Sequence, residues 1–197
     1  MITALVTCGA LAREVLALKQ KYDWKADVLG VPALLHNHPK KIPSAVLLRI
    51  RQARRNYDRT IVIYGDCGTS GDLDKVLESE GVERVSGPHC YEMYADQEFN
   101  KIMIDEPGTF FLTDCMLRSL DHLVIQNLGL DRLPELHDIY FSNYTSVVYL
   151  AQSNDDELTS RAKWAADFLR LPLKVRSVGY GALESRLVNL MHTEDNI

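Results

Sequence analysis

Short runs of Val, Ile and Leu recur along the whole chain, and nearly every one is followed by helical periodicity. The runs are Ile2–Thr7, Ala26–Leu35, Ile61–Tyr64, Val82–Val85, Phe110–Thr113, Val147–Ala151 and Leu173–Val178. They are of strand length, and they are apolar throughout instead of alternating, as strands covered on both faces should be. Between them, Leu11, Val15 and Leu18 share one helical face, as do Val46, Ile50 and Ala53 behind Pro43. Leu158, Ala162, Ala165 and Leu169 follow an Asn154-Asp155 start signal, and Leu183, Leu187 and Leu190 form the last stripe. A β-α-β-α order predicts an α/β fold with a mainly parallel open sheet and helices on both faces, a Rossmann-like three-layer architecture.

One segment breaks the rhythm. "LDRLPELHDIYFSNY" (Leu130–Tyr144) holds Pro134 and an aromatic cluster, and reads as a short helix or an excursion that caps the sheet. The length of 197 residues suits a single α/β domain over 1–197, or two small lobes meeting near 108. An apolar content of 46% is enough for a core without disulfide staples.

The net charge of −5 gives no support for a nucleic-acid binder. The basic run Arg49–Arg59 reads as a solvated helix face or a docking surface for an acidic partner. No apolar run approaches the roughly 20 residues needed to span a bilayer. The first strand pattern begins without a basic leader. A cytoplasmic protein without membrane attachment is expected. There the four cysteines are thiols or metal ligands before they are disulfides.

Ligands of open parallel sheets bind at the carboxyl ends of the strands. Cys8 ends the first strand, His36 the second and Cys67 the third, and His89 and Cys90 follow the fourth. Thiolate and imidazole are zinc donors, and three cysteines also suit an iron–sulfur cluster. The expected metal ligands are therefore Cys8, Cys67, Cys90 and His36, with His89 the other candidate for the fourth place. Cys8 and Cys67 also stand before helix starts, where the helix dipole lowers a thiol pKa. Gly65, Gly68 and Gly71 allow a tight turn whose N–H groups form an anion nest. Gly68, Thr69 and Ser70 are candidate cofactor-binding residues, and Asp66 is a candidate to orient a ligand or act as acid–base. Packing is the plain alternative for the cysteines, a helix cap for Thr69 and Ser70, and a local turn for Asp66.

"TCGALAREVLAL" (Thr7–Leu18) is echoed by "GYGALESRLVNL" (Gly179–Leu190), which puts Tyr180 where Cys8 stands in the first unit. Tyr180 is thus a candidate to face the same crevice. Cys115 repeats the Asp-Cys pair but has bulky neighbours, which favours a core role. A Cys-loop-Arg phosphatase cradle from Cys8 to Arg13 is set aside, because it is one residue short and lacks small residues near the Arg.

The motifs "CGALARE", "LHNHP", "YGDCGTSG", "GPHCYE", "GTFFLTD" and "GYGALE" resemble a prokaryotic domain family of unknown function, often encoded beside corrinoid-dependent methyltransferase genes. The resemblance implies that Cys8, Cys67 and Cys90 occupy the family's cysteine positions and that Cys115 stands outside the site. It also implies a setting in one-carbon metabolism. The expected function is a metal-binding thiolate/His protein, catalytic or accessory in corrinoid-linked methyl metabolism. Its partner would be a small-molecule substrate or a corrinoid protein. Two alternatives stand beside it. One is a metal-free enzyme with Cys67 as nucleophile, His89 as base and the Gly68–Thr69 amides as oxyanion donors. The other is a non-catalytic binding protein with a structural ion.

Overall fold

The computed structural model describes residues 2–193. It is an α/β fold of parallel sheets surrounded by helices. The strands form two parallel sheets, one of four strands and one of three. The contacts divide into two compact units, Met1–Met93 with Ala182–Ile197, and Tyr94–Gly181.

In the first unit the strands are β1 (Thr3–Cys8), β2 (Ala26–Val31), β3 (Arg59–Ile63) and β4 (Glu83–Arg84), in the order β2-β1-β3-β4 and all parallel. Its helices are α1 (Ala12–Lys21), α2 (Ile42–Ala53) and α3 (Asp72–Glu80). After α3, the helix α4 (Cys90–Ala95) carries the chain out of this unit. All six residues of β1 are buried, which requires cover on both faces. The chain passes from β1 to β2 on one side, then crosses to β3 on the other side of β1. The loops leaving β1 and β3 therefore diverge, and their carboxyl ends flank a topological switch point. β4 is only two residues long, so the sheet stops there.

β2 ends at Val31, not at Leu35 as its apolar run suggests. Pro32 has no N–H to continue the ladder. The chain turns instead into 3₁₀ helices at Ala33–Asn37 and Pro39–Lys41. His36 consequently sits on a helical turn beyond the strand end.

The second unit contains α5 (Gln97–Asp105), β5 (Thr109–Thr113), α6 (Asp114–Arg118), α7 (Leu136–Phe141), β6 (Ser146–Ala151), α8 (Asp156–Leu169) and β7 (Leu173–Ser177). Its sheet runs β5-β6-β7, parallel throughout, with β6 buried along its length. Asp155 caps α8 by accepting from the N–H groups of Glu157 and Leu158 at 3.0 and 3.1 Å. A π-helical stretch (Asp121–Gln126) precedes the segment that broke the sequence rhythm, and the segment itself contains α7. Phe141 and Tyr144 from this segment pack against Phe110 of β5. The last helix, α9 (Gly181–His192), follows β7. The Gly-Ala-Leu echo is local only. In the first copy it forms the turn ahead of α1, and in the second it is the first turn of α9.

Candidate functional site

Cys8 is buried at the last position of β1, and its Sγ lies 4.0 Å from His36 Nδ1. The same Nδ1 is 3.0 Å from the Ala33 carbonyl oxygen. A carbonyl can only accept, so Nδ1 carries the proton and Nε2 keeps the lone pair. That is the arrangement by which proteins orient a metal-binding histidine. Burial keeps His36 below its usual pKa, against the pull of the Ala33 bond, so it is neutral.

The His36 ring stacks on Tyr64, with centroids 5.9 Å apart and planes at 16°. Tyr64 follows β3 and is fully buried. Its hydroxyl makes no hydrogen bond of ordinary geometry. Burial pushes its pKa up; the Cys8 thiol, through charge and a hydrogen-bonding interaction, and then Cys67 and Cys90 push it further. Thiols of three separate elements, at the end of β1, in the loop after β3 and at the start of α4, thus all influence one buried phenol.

Two contacts hold the Cys67 and Cys90 loops together. The Cys67 N–H donates to the Pro88 carbonyl at 2.8 Å. Gly65 presses so closely on the next residues that a Cβ there would lie 2.5 Å from the His89 Cα. Cys67 itself has φ +48°, a left-handed conformation unusual for a side chain other than Asn or Asp, and one that stores strain. His89 packs edge-on to Tyr91 at 5.3 Å. Burial lowers its pKa against the opposing charge of Glu92.

The Cys67 thiol is pushed up to about 12, first by burial and then by Cys8. This corrects the expectation of a dipole-activated thiolate. α1 and α3 begin at Ala12 and Asp72, more than a turn beyond Cys8 and Cys67, and the dipole fades within about one turn. The sign follows from the folded state favouring the neutral thiol. The stabilisation is complete below the ordinary thiol pKa of 9.0 and is lost as pH rises towards about 12. Urea midpoints of the metal-free protein should therefore fall across that interval, and Cys67→Ser should flatten the fall. A midpoint that stays level would show that Cys67 ionises as easily folded as unfolded.

The Asp66 carboxylate turns into its own loop. Its oxygens accept from the Thr69 hydroxyl at 2.6 Å, the Gly71 N–H at 2.8 Å and the Ser70 N–H at 3.2 Å. Burial opposes ionisation of Asp66, but these bonds and one from the Gly68 amide together outweigh it and hold the carboxyl below its usual range. The Thr69 N–H goes to the Asp66 carbonyl at 3.0 Å. The donors of Gly68, Thr69 and Ser70 therefore face Asp66 in this arrangement.

Tyr180 lies in the turn after β7 and Cys115 on α6, both in the second unit, whereas Cys8, His36, Cys67, His89 and Cys90 all belong to the first. Residues of the first unit that sequence patterns did not single out complete the setting. Arg84 pairs with Asp74 at 2.5 and 3.0 Å and also donates to the carbonyls of Tyr64, Val85 and Gly87. Arg186 of α9 pairs with Glu92 at 2.6 and 2.7 Å and donates to the Ser86 carbonyl at 2.8 Å. Both arginines brace the loop that leads to Cys90. Their partners are distant in sequence, so no local signal marks them. Elsewhere on this unit the basic face of α2 is partly paired, with Arg51 and Arg54 on Glu80.

The family model described as "Protein of unknown function (DUF1638)" matches residues 31–187. The chain belongs to the DUF1638 family. The matched span includes His36, Cys67, His89 and Cys90 and begins beyond Cys8. No curated protein and no solved structure matches the chain. Among the described residues, no helix is long and apolar enough to cross a membrane.

The donor types here, three thiols and a neutral imidazole, suit a thiophilic metal. Their present positions do not enclose one. Among the described residues, no three His, Cys, Asp or Glu side chains are grouped closely enough to hold an ion.

Proposed function

We propose that the first unit is a thiolate metal site that serves corrinoid-linked methyl metabolism, as a catalyst or an accessory protein. Cys8, Cys67 and Cys90 would hold the metal, with His36 Nε2 as the fourth donor. The observation that carries the reading is that the Cys8, Cys67 and Cys90 thiols, from three separate elements beside the switch point, all influence the buried Tyr64 phenol. Zinc is the first choice and an iron–sulfur cluster the alternative. When bound, such a metal ionises thiols and offers Lewis acidity. The chain itself fixes the loop backbones through the Gly65–His89 contact and the Cys67–Pro88 bond. Closure is left to rotation of the Cys67 and Cys90 side chains, both partly exposed. That residual access favours a working site over a sealed structural one. The corrinoid setting and a small-molecule or corrinoid-protein partner come from the motif resemblance.

A metal-free nucleophile at Cys67 fits less well. Burial holds its thiol protonated, and the Gly68 and Thr69 amides are engaged by Asp66.

Protein purified anaerobically should carry stoichiometric zinc without a visible band, or iron with broad brown absorption. Cys8→Ser, Cys67→Ser and Cys90→Ser should each reduce the content to a small fraction, and Cys115→Ser should leave it unchanged. A protein without metal, in which all three thiols alkylate normally, ends this reading.

A further inference from the structure

A cleft of about 300 Å³ opens in the first unit where β4 and the loop after it meet α9. Arg84, Ser86, Arg186, Asn189, Leu190 and Thr193 line it, and among the described residues no carboxylate is part of that lining. The carboxylates stand behind the two guanidinium groups. Buried Glu92 takes Arg186 through both oxygens at 2.6 and 2.7 Å, and Asp74 takes Arg84 at 2.5 and 3.0 Å. Arg186 also donates to the Ser86 carbonyl at 2.8 Å, and Arg84 to those of Val85 and Gly87 at 3.0 and 3.1 Å. Gly87 has φ +140°, and a Cβ there would lie 2.6 Å from Glu92 Oε2 and 3.2 Å from Arg186 Nη1. Glycine therefore lets the loop close on the ion pair.

These bonds fix the direction of both guanidinium groups. Arg84 Nη2 spends on Asp74 only one of its two hydrogens. Among the described residues, the Ser86 hydroxyl and the Asn189 carboxamide make no hydrogen bond, although the carbonyls of both residues are engaged. Cations braced from behind, with neutral donors left at the front, have the composition of an oxyanion site. The donors come from two elements and approach from several sides. That suits a tetrahedral phosphate better than a planar carboxylate, which a single fork satisfies. The volume is at the lower end of the range for small-molecule sites, about 300–1,000 Å³.

We propose that this cleft binds phosphate, as the ion or as the end group of a small ester. Arg84, Ser86 and Asn189 are its donors, and Arg186 supplies a second positive charge. None of the cysteines lines the cleft, so this site stands or falls apart from the metal reading.

Titration calorimetry of the full chain with inorganic phosphate, and then with glycerol 3-phosphate, tests the proposal. Both should bind, and binding should weaken as sodium chloride is raised. Tighter binding of the ester assigns an organic phosphate as the ligand, and tighter binding of the ion assigns phosphate itself. Asn189 is exposed, so changes there spare the fold, and two of them should act with opposite signs. Asn189→Asp replaces a donor by a like charge and should weaken binding by about tenfold or more. Asn189→Lys adds a cation and should strengthen it. Ser86→Ala should weaken binding without changing its salt dependence. The proposal is overturned if the wild-type chain binds neither compound, or if it binds acetate as tightly at equal ionic strength. It is overturned equally if Asn189→Asp and Asn189→Lys bind phosphate alike. Metal content, read with the cysteine variants, is untouched by any of these results.

Discussion

Gly65→Ala should be among the most damaging single-methyl changes in the chain, with a loss of about 3 kcal/mol in urea unfolding. The added Cβ would lie 2.5 Å from the His89 Cα and 2.8 Å from both the His89 nitrogen and the Pro88 carbonyl oxygen. All three are backbone atoms, so no side-chain rotation relieves the clash. The loop carrying Cys67 and the loop carrying Cys90 must move apart. That movement also strains the Cys67–Pro88 hydrogen bond, so metal content should fall with stability. Gly30→Ala is the matched control. A Cβ there meets nothing within 4 Å, and the change should stay within about 0.5 kcal/mol. Equal stabilities for the two variants would mean that the loops are not packed as described.

The same comparison separates what the sequence carries locally from what it does not. Strand–helix alternation was legible because it is written into the spacing of Val, Ile and Leu, and β1, β3, β5, β6 and β7 lie within two residues of their apolar runs. The end of β2 was misplaced because Pro32 sits inside an apolar run and stops the ladder without interrupting the hydrophobicity. The break between the two sheets had no sharp local signal. β4 contributes only Glu83 and Arg84, and α4 and α5 fill the stretch where a sheet would have continued. At the site, Gly65 read as part of a tight turn with an anion nest, whereas its contact with the His89 backbone gives the glycine its physical cause. Tyr64 went unmarked because an aromatic at a strand end looks like any other core residue. Only the three-dimensional neighbours of its hydroxyl make it unusual. Asp66 read as an acid–base candidate, yet its partners lie three to five residues on, within its own turn. Where partners are distant, as for Arg84 and Arg186, periodicity carries no trace of them.

Asp114 is the second case, and its removal should cost more still. In "TDC" the cysteine draws attention, but the carboxylate organises the second unit. Asp114 is 3% exposed. One oxygen accepts from the Tyr149 hydroxyl at 2.7 Å and the Gln152 N–H at 3.0 Å, and the other accepts from the Ser153 hydroxyl at 2.5 Å. The Asp114 N–H in turn donates to the Gln152 side chain at 2.8 Å. These bonds tie the carboxyl end of β5 to that of β6. Asp114→Ala leaves the fully buried Tyr149 hydroxyl and the Gln152 amide without their acceptor, and each orphaned donor costs about 1–3 kcal/mol. A total near 4 kcal/mol is expected. Tyr149→Phe removes a single hydrogen bond and should cost about 1 kcal/mol in wild type. In the Asp114→Ala background the same change should be neutral or stabilising, because it then deletes a donor that has already lost its partner. Thermal or urea unfolding of the four proteins measures that coupling. If the Tyr149→Phe cost is the same in both backgrounds, the carboxylate does not hold the hydroxyl, and the two strands are joined by their ladder alone.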